Sequence, residues 1–328
     1  MKIILVGFGF IGRSFVKALR EKNSAIREAF PDFKLIGVSD IDGYLLDENG
    51  LDLEILSKIR KVYEYPGKLV QGSSVELIEK SGADALIEAT PTNIANGEPG
   101  LSHILKALEL GMHVVTSNKG PFVVAFRKIM DLAERSGVNV MYEATVGGAI
   151  PIFSLKRWCL RGVGIRRIRG ILNGTTNYIL SKMHFDEVGF ENALKEAREK
   201  GLAEADPSYD VDGIDAGCKV VILANSILGK NITIKDVEMK GIRGISLEEV
   251  IEAKRNGKAI KLIAEIGEKF QVKPEAIPLN SPFCVHGSLN VIHLETDLAG
   301  DLMLIGHGAG KETAAAMLND LLSLPAPR

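Results

Sequence analysis

The feature that most constrains the fold is a glycine-rich turn near the N-terminus. Residues 7–12, GFGFIG, form a GxGxxG motif that follows the apolar segment KIILV and precedes the amphipathic segment RSFVKALREK. Gly7 permits a tight turn, Gly9 allows a pyrophosphate to approach the backbone, and Gly12 allows the helix to pack closely on the strand. In this context the motif predicts nucleotide binding, whereas the motif alone would indicate only a close turn.

The segments that follow this turn alternate between short apolar runs and helical patterns. The runs KLIGVSD, ALIEATP, HVVTSNKG and NVMYEATVGG are typical of strands, and HILKALELG and MDLAERSG are helical patterns that end at Gly111 and Gly137. Strands that are apolar throughout indicate a parallel sheet with helices on both faces. We therefore predict a Rossmann-type, doubly wound parallel α/β sheet over residues 1–146.

The character of the chain changes after the segment GGAIP. The segments RRIRGILNG, GKAIKLIAEIG and FCVHGSLNVIHLETD carry polar residues between apolar ones, and helical patterns such as FENALKEAREKG separate them. This change predicts a second, α+β domain over residues 147–299. The last segment reads as a strand, a glycine turn and a helix, and we expect residues from about 300 to 328 to complete the first domain.

Composition and charge exclude several classes of function. The net charge is −2 with the lysines and arginines scattered, so we expect no nucleic-acid partner. The apolar stretches are too short or too interrupted to span a membrane. Cys159, Cys218 and Cys284 are odd in number and form no CxxC pair, which argues against disulfides and zinc. A reducing, cytoplasmic setting is therefore expected.

Polar side chains at the ends of the predicted strands are candidate cofactor ligands. Asp40 ends the second strand, where a dinucleotide fold places an acid that binds the ribose hydroxyls and repels a 2′-phosphate. The alternative is that Asp40 only begins a turn with Asp42 and Gly43. Thr90 and Lys119 follow later strands, at the sheet edge where open α/β folds bind ligands. The alternative for Lys119 is a solvated lysine that caps a strand end.

An acidic segment, GLAEADPSYDVDGIDAGCK, raises the question of why carboxylates are crowded there. It contains Glu204, Asp206, Asp210, Asp212, Asp215 and, at its end, Lys219. A calcium loop would require a glutamate where Lys219 stands, so the segment does not fit one. Carboxylates at a helix start complement the helix dipole, which accounts for one or two of them.

A catalytic interpretation accounts for the rest of the segment. Asp215 and Lys219 are one helical turn apart, and the apolar run VVIL follows Lys219. A partly buried lysine held by a carboxylate can exchange a proton with a substrate oxygen, and further acids can bind a substrate ammonium group. This arrangement suits an amino-acid substrate. The alternative function is a dinucleotide sensor without catalytic activity.

Several motifs together resemble those of the homoserine dehydrogenase family. Residues 197–219, AREKGLAEADPSYDVDGIDAGCK, have the family's signature spacing, and GILNGTTNYIL, TSNKGPF, YEATVGGAIP and GFGFIG also match in position. The resemblance covers nearly the whole chain. It implies a reversible, NAD(P)-dependent hydride transfer between L-homoserine and L-aspartate 4-semialdehyde, in threonine and methionine biosynthesis.

The resemblance also implies roles for particular residues. Lys219 would exchange the proton at the substrate oxygen, with Asp215 as its partner. Glu204 and Asp210 would hold the amino-acid end, and Lys119 would lie between cofactor and substrate. The implied cofactor-binding residues are Gly7, Gly9, Phe10, Ile11, Gly12, Asp40, Thr90 and Lys119. The implied ligands of a sodium ion are Glu143 and backbone carbonyls around Val146, Gly148 and Ile150.

Further expectations concern the chemistry and the assembly. Hydride transfer to an aldehyde needs no covalent enzyme intermediate and hence no catalytic cysteine, unlike the acylating aldehyde dehydrogenases. The resemblance implies a homodimer formed through the second, substrate-binding domain. Asp40 leads us to expect NAD in preference to NADP. Because the chain ends at its last core helix, no feedback inhibition through a C-terminal regulatory domain is expected.

Overall fold

The computed structural model describes residues 1–308 and 310–326 and divides into two compact units. One unit comprises Met1–Thr145 together with the C-terminal segment that starts at Gly310. The other comprises the described residues from Val146 onward, up to residue 308. Among the residues so described, no helix combines the length and apolar character needed to span a membrane.

The strands and helices of both units are numbered in chain order. The strands are β1 (Lys2–Val6), β2 (Lys34–Asp40), β3 (Gly43–Leu46), β4 (Ala85–Glu88), β5 (His113–Thr116), β6 (Val140–Met141), β7 (Ile165–Ile171), β8 (Glu238–Met239), β9 (Lys258–Ile266), β10 (Phe270–Pro278), β11 (Leu289–Thr296) and β12 (Asp301–His307). The helices are α1 (Phe10–Glu21), α2 (Asn23–Ala29), α3 (Leu53–Leu56), α4 (Ser74–Ser81), α5 (Gly100–Glu109), α6 (Lys119–Ser136), α7 (Ile152–Ser154), α8 (Gly174–Asp186), α9 (Phe190–Glu199), α10 (Ser208–Val211), α11 (Ile214–Ile227), α12 (Leu247–Arg255) and α13 (Lys311–Leu322).

The first unit contains a six-stranded sheet in the order β3-β2-β1-β4-β5-β6. All neighbouring strands are parallel except β3, which pairs antiparallel with β2 at one edge. Strand order reverses on either side of β1, as in a doubly wound dinucleotide-binding fold. The predicted Rossmann-type sheet is confirmed, with β3 as an additional antiparallel edge strand.

The first core forms because β1 is apolar on both faces and the helices beside it are amphipathic. Residues 3–6 of β1 are fully buried. Phe15 and Leu19 on the inner face of α1 belong to the same buried cluster as Met317 and Leu321 of α13. The C-terminal helix therefore belongs to the first core, as the sequence predicted.

Helices α5 and α6 end at or next to the glycines predicted to end them. Gly137 adopts φ +66° and caps α6, and its N–H donates to the carbonyls of the last helical turn. Gly111 adopts φ +75° just after α5, two residues before β5 begins. A residue with a side chain is strained in this left-handed conformation, which is why glycine ends these helices.

The second unit contains a six-stranded sheet in the order β12-β11-β7-β9-β10-β8. Its pairs are antiparallel apart from the short β8, which runs parallel to β10. Helices α8, α11 and α12 pack against the sheet. Ile171, Ile263 and Val291 of three neighbouring strands contribute to its buried cluster. This is the α+β domain that the polar-apolar alternation predicted.

The boundary prediction for the last strand is wrong. The strand–turn–helix pattern predicts that residues from about 300 onward belong to the first unit, whereas β12 pairs antiparallel with β11 from Leu289↔His307 to Glu295↔Asp301. A hairpin joins the two strands, with the Thr296 N–H donating to the carbonyl of Gly300. The strand thus stays with its sequence neighbour, and only α13 returns to the first unit.

Candidate active site

The three glycines of the turn between β1 and α1 differ in the space around them. Gly9 is open to a ligand, whereas Gly7 and Gly12 are packed against backbone. A Cβ on Gly7, which has φ +97°, would lie 2.6 Å from the backbone of Ala89. A Cβ on Gly12 would lie 2.0 Å from the Gly7 carbonyl oxygen, so both positions exclude a side chain. A Cβ on Gly9 would meet nothing within 4 Å, which leaves the backbone there open.

The start of α1 completes an anion-binding surface. Gly9 is the N-cap of α1 and provides no side chain to cap the first amides. Such amides, reinforced by the helix dipole, bind phosphate groups. Phe10 is 61% exposed and Ile11 is half-buried beside the open turn. These residues fit the pyrophosphate of a nicotinamide dinucleotide, and their backbone amides would hold it.

Asp40 lies at the end of β2, as predicted, and is half-buried. Its Oδ1 accepts a hydrogen bond from the N–H of Ile41, 2.9 Å away. Lys61 faces Asp42 at 3.9 Å, and Arg13 donates to the carbonyls of Phe8 (3.1 Å) and residue 60 (3.3 Å). Lys61 and Arg13 thus contact groups other than Asp40. The position of Asp40 at the strand end suits a ribose ligand, and its contact with the Ile41 N–H suits a turn residue.

At the carboxyl ends of β4 and β5, polar side chains form one network. Asn118 caps α6 by accepting from the Gly120 N–H, and its amide donates to the Thr90 hydroxyl at 3.2 Å. Glu88, fully buried, accepts from the hydroxyls of Thr90 and Thr116. Lys119, which follows Asn118 in the chain, is half-buried at the start of α6. Thr90 and Lys119 are predicted from the sequence, whereas Glu88 is not, because its only signal is an acid at the end of an apolar strand.

In the second unit, Lys219 and Asp215 form a buried ion pair on α11. Lys219 Nζ lies 2.7 Å from Asp215 Oδ2, and both residues are 6% exposed. Lys219 also donates to the Leu172 carbonyl oxygen at 2.6 Å. An ammonium group has three donors, so these two contacts leave one N–H for a substrate oxygen.

Asn173 connects this ion pair to Asp210. Its amide nitrogen donates to Asp210 Oδ1 at 2.7 Å and to Asp215 Oδ2 at 2.9 Å, while its oxygen accepts from the Thr176 N–H and caps α8. Burial and the neighbouring Asp215 carboxylate raise the pKa of Asp210. Asn173 lies within the segment GILNGTTNYIL, and no site role is predicted for it from the sequence. The pattern Asn-Gly-Thr-Thr before a helix is an N-cap signal that marks it.

The remaining acids of the segment do not converge on Lys219. Asp206 accepts from the N–H and hydroxyl of Ser208, at 3.0 and 2.6 Å, next to α10. Asp212 pairs with Arg243 at 2.6 Å. Glu204 is exposed on the loop before α10. Local structure therefore explains part of the acidic crowding, and Asp210 and Asp215 carry the charge around Lys219.

Cys218 has the properties of a core residue, as expected. It is fully buried, and its sulfur accepts a hydrogen bond from the Tyr209 hydroxyl at 3.4 Å. The adjacent Lys219 is paired with the Asp215 carboxylate.

The residues implied as sodium ligands belong to both units. Glu143 of the first unit is 4% exposed, and its backbone N–H donates to Asp320 at 2.8 Å. In the second unit, Val146 and Ile150 are buried, and Gly148 has φ +57°. The described residues contain no group of three His, Cys, Asp or Glu side chains that could hold a metal ion.

The fold and the site together define a class of protein. A Rossmann-type sheet with an open glycine turn is typical of dinucleotide binding, and a buried lysine–carboxylate pair has the chemistry to exchange a proton without a thiol nucleophile. The chain is an oxidoreductase that transfers hydride to or from a nicotinamide dinucleotide.

Comparison with known proteins identifies the family. The model for the homoserine dehydrogenase NAD-binding domain matches residues 7–143, and the homoserine dehydrogenase model matches residues 151–322. The chain is 45% identical to homoserine dehydrogenase from Methanocaldococcus jannaschii over 99% of this chain and 98% of that protein. It is 35% identical to the NAD(+)-dependent homoserine dehydrogenase of Pseudomonas canavaninivorans over 98% and 96% of the two chains. The chain belongs to the homoserine dehydrogenase family.

A solved structure agrees with this assignment. A hyperthermophilic archaeal homoserine dehydrogenase in complex with NADPH superposes with a TM-score of 0.85 at 28% identity and covers 98% of this chain and 96% of that one. Together these relatives support an enzyme rather than the dinucleotide sensor that the sequence analysis left as an alternative.

Proposed function

We propose that Lys219 exchanges the proton at the substrate oxygen while L-homoserine and L-aspartate 4-semialdehyde are interconverted. The observation that carries this assignment is the buried contact of Lys219 with Asp215 at 2.7 Å. When bound, a nicotinamide dinucleotide would supply the hydride acceptor for alcohol oxidation and the hydride donor for aldehyde reduction.

Lys219 works differently in the two directions. During aldehyde reduction its ammonium form donates a proton to the developing alkoxide oxygen. During alcohol oxidation its amine form accepts the hydroxyl proton as the hydride leaves. Asp215 Oδ2 and the Leu172 carbonyl hold Nζ so that its remaining N–H points to one place. Positioning of this kind favours the transition state over the free substrate.

Asp210 and Glu204 are proposed to hold the substrate's amino group. Asp210 lies within the same hydrogen-bonded cluster as Lys219, through Asn173. An approaching ammonium group would relieve the repulsion between the Asp210 and Asp215 carboxylates. Glu204, exposed on its loop, would have to move toward the amino group, so its role depends on the loop and not on a preformed contact.

Lys119 and Thr90 are proposed to act at the nicotinamide end of the cofactor. Both follow strands at the carboxyl edge of the sheet, on loops joined by the Asn118–Thr90 contact. Lys119 would contribute positive charge between cofactor and substrate. Ligands of doubly wound sheets bind at this edge, which supports the assignment.

For the cofactor we propose a preference for NAD over NADP, because Asp40 would lie against a 2′-phosphate. The relatives differ on this point. One is named an NAD(+)-dependent enzyme, and one structure is in complex with NADPH. Asp40 and the engagement of Arg13 and Lys61 with other groups argue for NAD in this chain.

We also propose a sodium site formed by Glu143 with backbone carbonyls of the loop from Val146 to Ile150. The positive φ angles of Gly147 (+74°) and Gly148 (+57°) turn successive peptides, and oxygen ligands suit a hard cation. Because a side-chain cluster is absent from the described residues, such a site would rely on backbone oxygens.

A homodimer and a cytoplasmic location complete the proposal. Strand β12 is a sheet edge on which Leu302, Met303, Leu304 and Ile305 are not buried, and Ile305 is 51% exposed. An open apolar edge is a surface that proteins normally cover.

The described cysteines form no disulfide, which is consistent with a reducing compartment. The reaction would serve threonine and methionine biosynthesis.

The experiment that tests the function is a direct assay. Purified protein is incubated with L-homoserine and NAD, or with L-homoserine and NADP, and reduced nicotinamide is followed by its absorbance. We expect absorbance to rise with L-homoserine and not with L-serine, whose hydroxyl is one carbon closer to the ammonium group. No reaction with either cofactor, in either direction, would overturn the proposal.

A further inference from the structure

Glu88 occupies an unusual place for a carboxylate. It is the last residue of β4, lies in the middle of the sheet between β1 and β5, and is fully buried. Burial of a carboxylate is unfavourable unless hydrogen bonds compensate for the lost water. Both Glu88 oxygens have such partners, which are Thr90 on the loop after β4 and Thr116 at the end of β5.

One Glu88 oxygen binds the loop after β4. Oε1 accepts from the Thr90 backbone N–H at 3.1 Å and from the Thr90 hydroxyl. The other oxygen, Oε2, accepts from the Thr116 hydroxyl at the end of β5, 3.1 Å away. Glu88 and Thr116 are direct neighbours in the parallel ladder, so their side chains meet at the edge where the strands end.

The network continues from Thr116 to the start of α6. The Thr116 hydroxyl oxygen accepts from the Asn118 N–H at 3.0 Å. The Asn118 side chain then donates back across the gap to the Thr90 hydroxyl (3.2 Å) and to the Pro91 carbonyl (3.3 Å). The Glu88 carboxylate is therefore hydrogen-bonded both to the loop that carries Thr90 and to Thr116, three residues before Lys119.

His103 closes the network from the other side. It lies on α5, is 5% exposed, and its Nδ1 is 3.8 Å from Glu88 Oε1. Within the described residues, Nδ1 is a buried polar atom without a hydrogen-bond partner. The buried imidazole therefore lies beside the Glu88 carboxylate. The three hydrogen bonds from Thr90 and Thr116 stabilise the carboxylate in its buried position.

We propose that Glu88 is a positioning residue for the dehydrogenase reaction: it sets the loops after β4 and β5 so that Thr90 and Lys119 meet the nicotinamide end of the cofactor. The inference rests on the proposed function for the role of Lys119. Glu88 does not touch the reacting atoms in this scheme and acts through the two loops. A loss of positioning by about 1 Å is enough to slow a reaction substantially.

The main test compares Glu88→Ala with Glu88→Gln. The alanine variant removes both acceptors, so we expect kcat to fall roughly 10- to 100-fold and the dissociation constant of NADH or NADPH to rise several-fold. The KM for L-homoserine should stay nearly constant. Glutamine keeps the shape and one acceptor, so Glu88→Gln should recover most of both losses.

A matched control separates positioning from simple destabilisation. Val115→Ala truncates a fully buried side chain of β5, one residue before Thr116, and leaves the network intact. We expect it to lower the melting temperature while kcat and the cofactor dissociation constant stay close to wild type. Thr116→Val, which removes only one hydroxyl, should show part of the Glu88→Ala effect, and the double variant should be less than additive.

The outcomes are distinguishable. If Glu88→Ala and Val115→Ala lose the same stability and both keep wild-type kcat and cofactor affinity, the inference is overturned. If Glu88→Ala does not fold, the same comparison is made with Thr116→Val. If wild type binds NADH but oxidises no L-homoserine, the proposed function fails, and a weaker cofactor affinity in Glu88→Ala would still support the positioning role.

Discussion

At the scale of single residues, the ammonium group of Lys219 is the centre of the proposed chemistry. Two of its donors are held by Asp215 and by the Leu172 carbonyl, at 2.7 and 2.6 Å. The same carbonyl accepts from Asn290 at 3.1 Å. A backbone oxygen that serves two side chains fixes the direction of the remaining N–H more closely than an ion pair alone would.

Replacing Lys219 should therefore abolish proton exchange without abolishing cofactor binding. For Lys219→Met we expect kcat to fall by a factor on the order of 10² to 10⁴, with nearly unchanged affinity for NADH. Steady-state kinetics and a fluorescence titration would check both values. Lys195→Met, an exposed lysine on α9, is the control, and near-normal turnover in Lys219→Met would exclude Lys219 from the mechanism.

Asp210 should make substrate binding depend on pH. Its pKa is raised by burial and by Asp215, and in the proposed role only its charged form would attract the substrate ammonium group. As the pH falls through this raised pKa, Asp210 becomes neutral, and we expect the KM for L-homoserine to rise. In Asp210→Asn the KM should be high and independent of pH over the same range. A parallel pH dependence in the two proteins would argue against this role.

Asp40 should determine cofactor choice. We expect the native enzyme to have the higher kcat/KM with NAD, and Asp40→Ser to move the ratio toward NADP. Two to three kcal/mol of repulsion would correspond to roughly a 30- to 150-fold change. Asp42→Ser, which alters the next acid along the chain, is the control. A native preference for NADP, or an unmoved ratio, would make Asp40 a turn residue.

At the scale of elements, a buried lysine joins α8 to the sheet of the second unit. Lys261 of β9 is 1% exposed, and its Nζ donates to Asn177 (2.8 Å) and Ser181 (3.2 Å) of α8. Nζ also lies 3.2 Å from His286 Nδ1. Burial lowers the pKa of Lys261 to about 8. The contact between helix and sheet thus depends on a cation held by neutral groups.

The sign of the resulting pH effect follows from linkage. Above pH 8 the folded state releases the Lys261 proton, whereas the unfolded chain keeps it until about pH 10.4. The unfolded state therefore binds more protons between these two pH values. The free energy of unfolding increases as the pH rises, so the folded state becomes more stable.

We expect urea unfolding to show this gain between pH 8 and pH 10, on the order of 1 to 3 kcal/mol relative to Lys261→Met. Methionine has a similar length and no charge, so other titrating groups cancel in the comparison. Identical pH profiles for the two proteins would show that Lys261 keeps an ordinary pKa.

At the scale of the whole molecule, the open edge of the second sheet supports the proposed homodimer. Most side chains of β12 remain partly accessible, and among the residues that the structure describes the strand pairs on one side only, with β11. Neighbouring β11 has buried residues at four of its eight positions. An edge strand with this composition is suited to association with a second copy of the chain.

The assembly prediction is a dimer that a charge on this edge disrupts. We expect light scattering after size exclusion to give twice the chain mass of 35.5 kDa, and Ile305→Lys to shift the protein toward a monomer. Leu298→Lys is the control, because Leu298 is 78% exposed in the turn between β11 and β12. A monomeric native protein, or a dimer unaffected by Ile305→Lys, would contradict the prediction.

Much of this molecule was predictable because its signals are local. The GxGxxG turn, the apolar parallel strands and the helix-ending glycines act over a few residues, where backbone conformation and periodicity decide the structure. Asp215 and Lys219 are four positions apart, so helix geometry alone brings them together. The sequence by itself therefore determined the Rossmann-type unit and the pair at the centre of the site.

The tertiary structure decided what depends on distant segments. It joined Lys219 to a carbonyl 47 positions away, and Asn173 to Asp215 across 42 positions. It also assigned β12 to the second sheet, through pairing that a strand pattern alone does not specify. Hydrogen bonds between strands and between packed elements form only once the sheets are assembled, so neither the buried network around Glu88 nor the choice among five acids was visible from residue spacing.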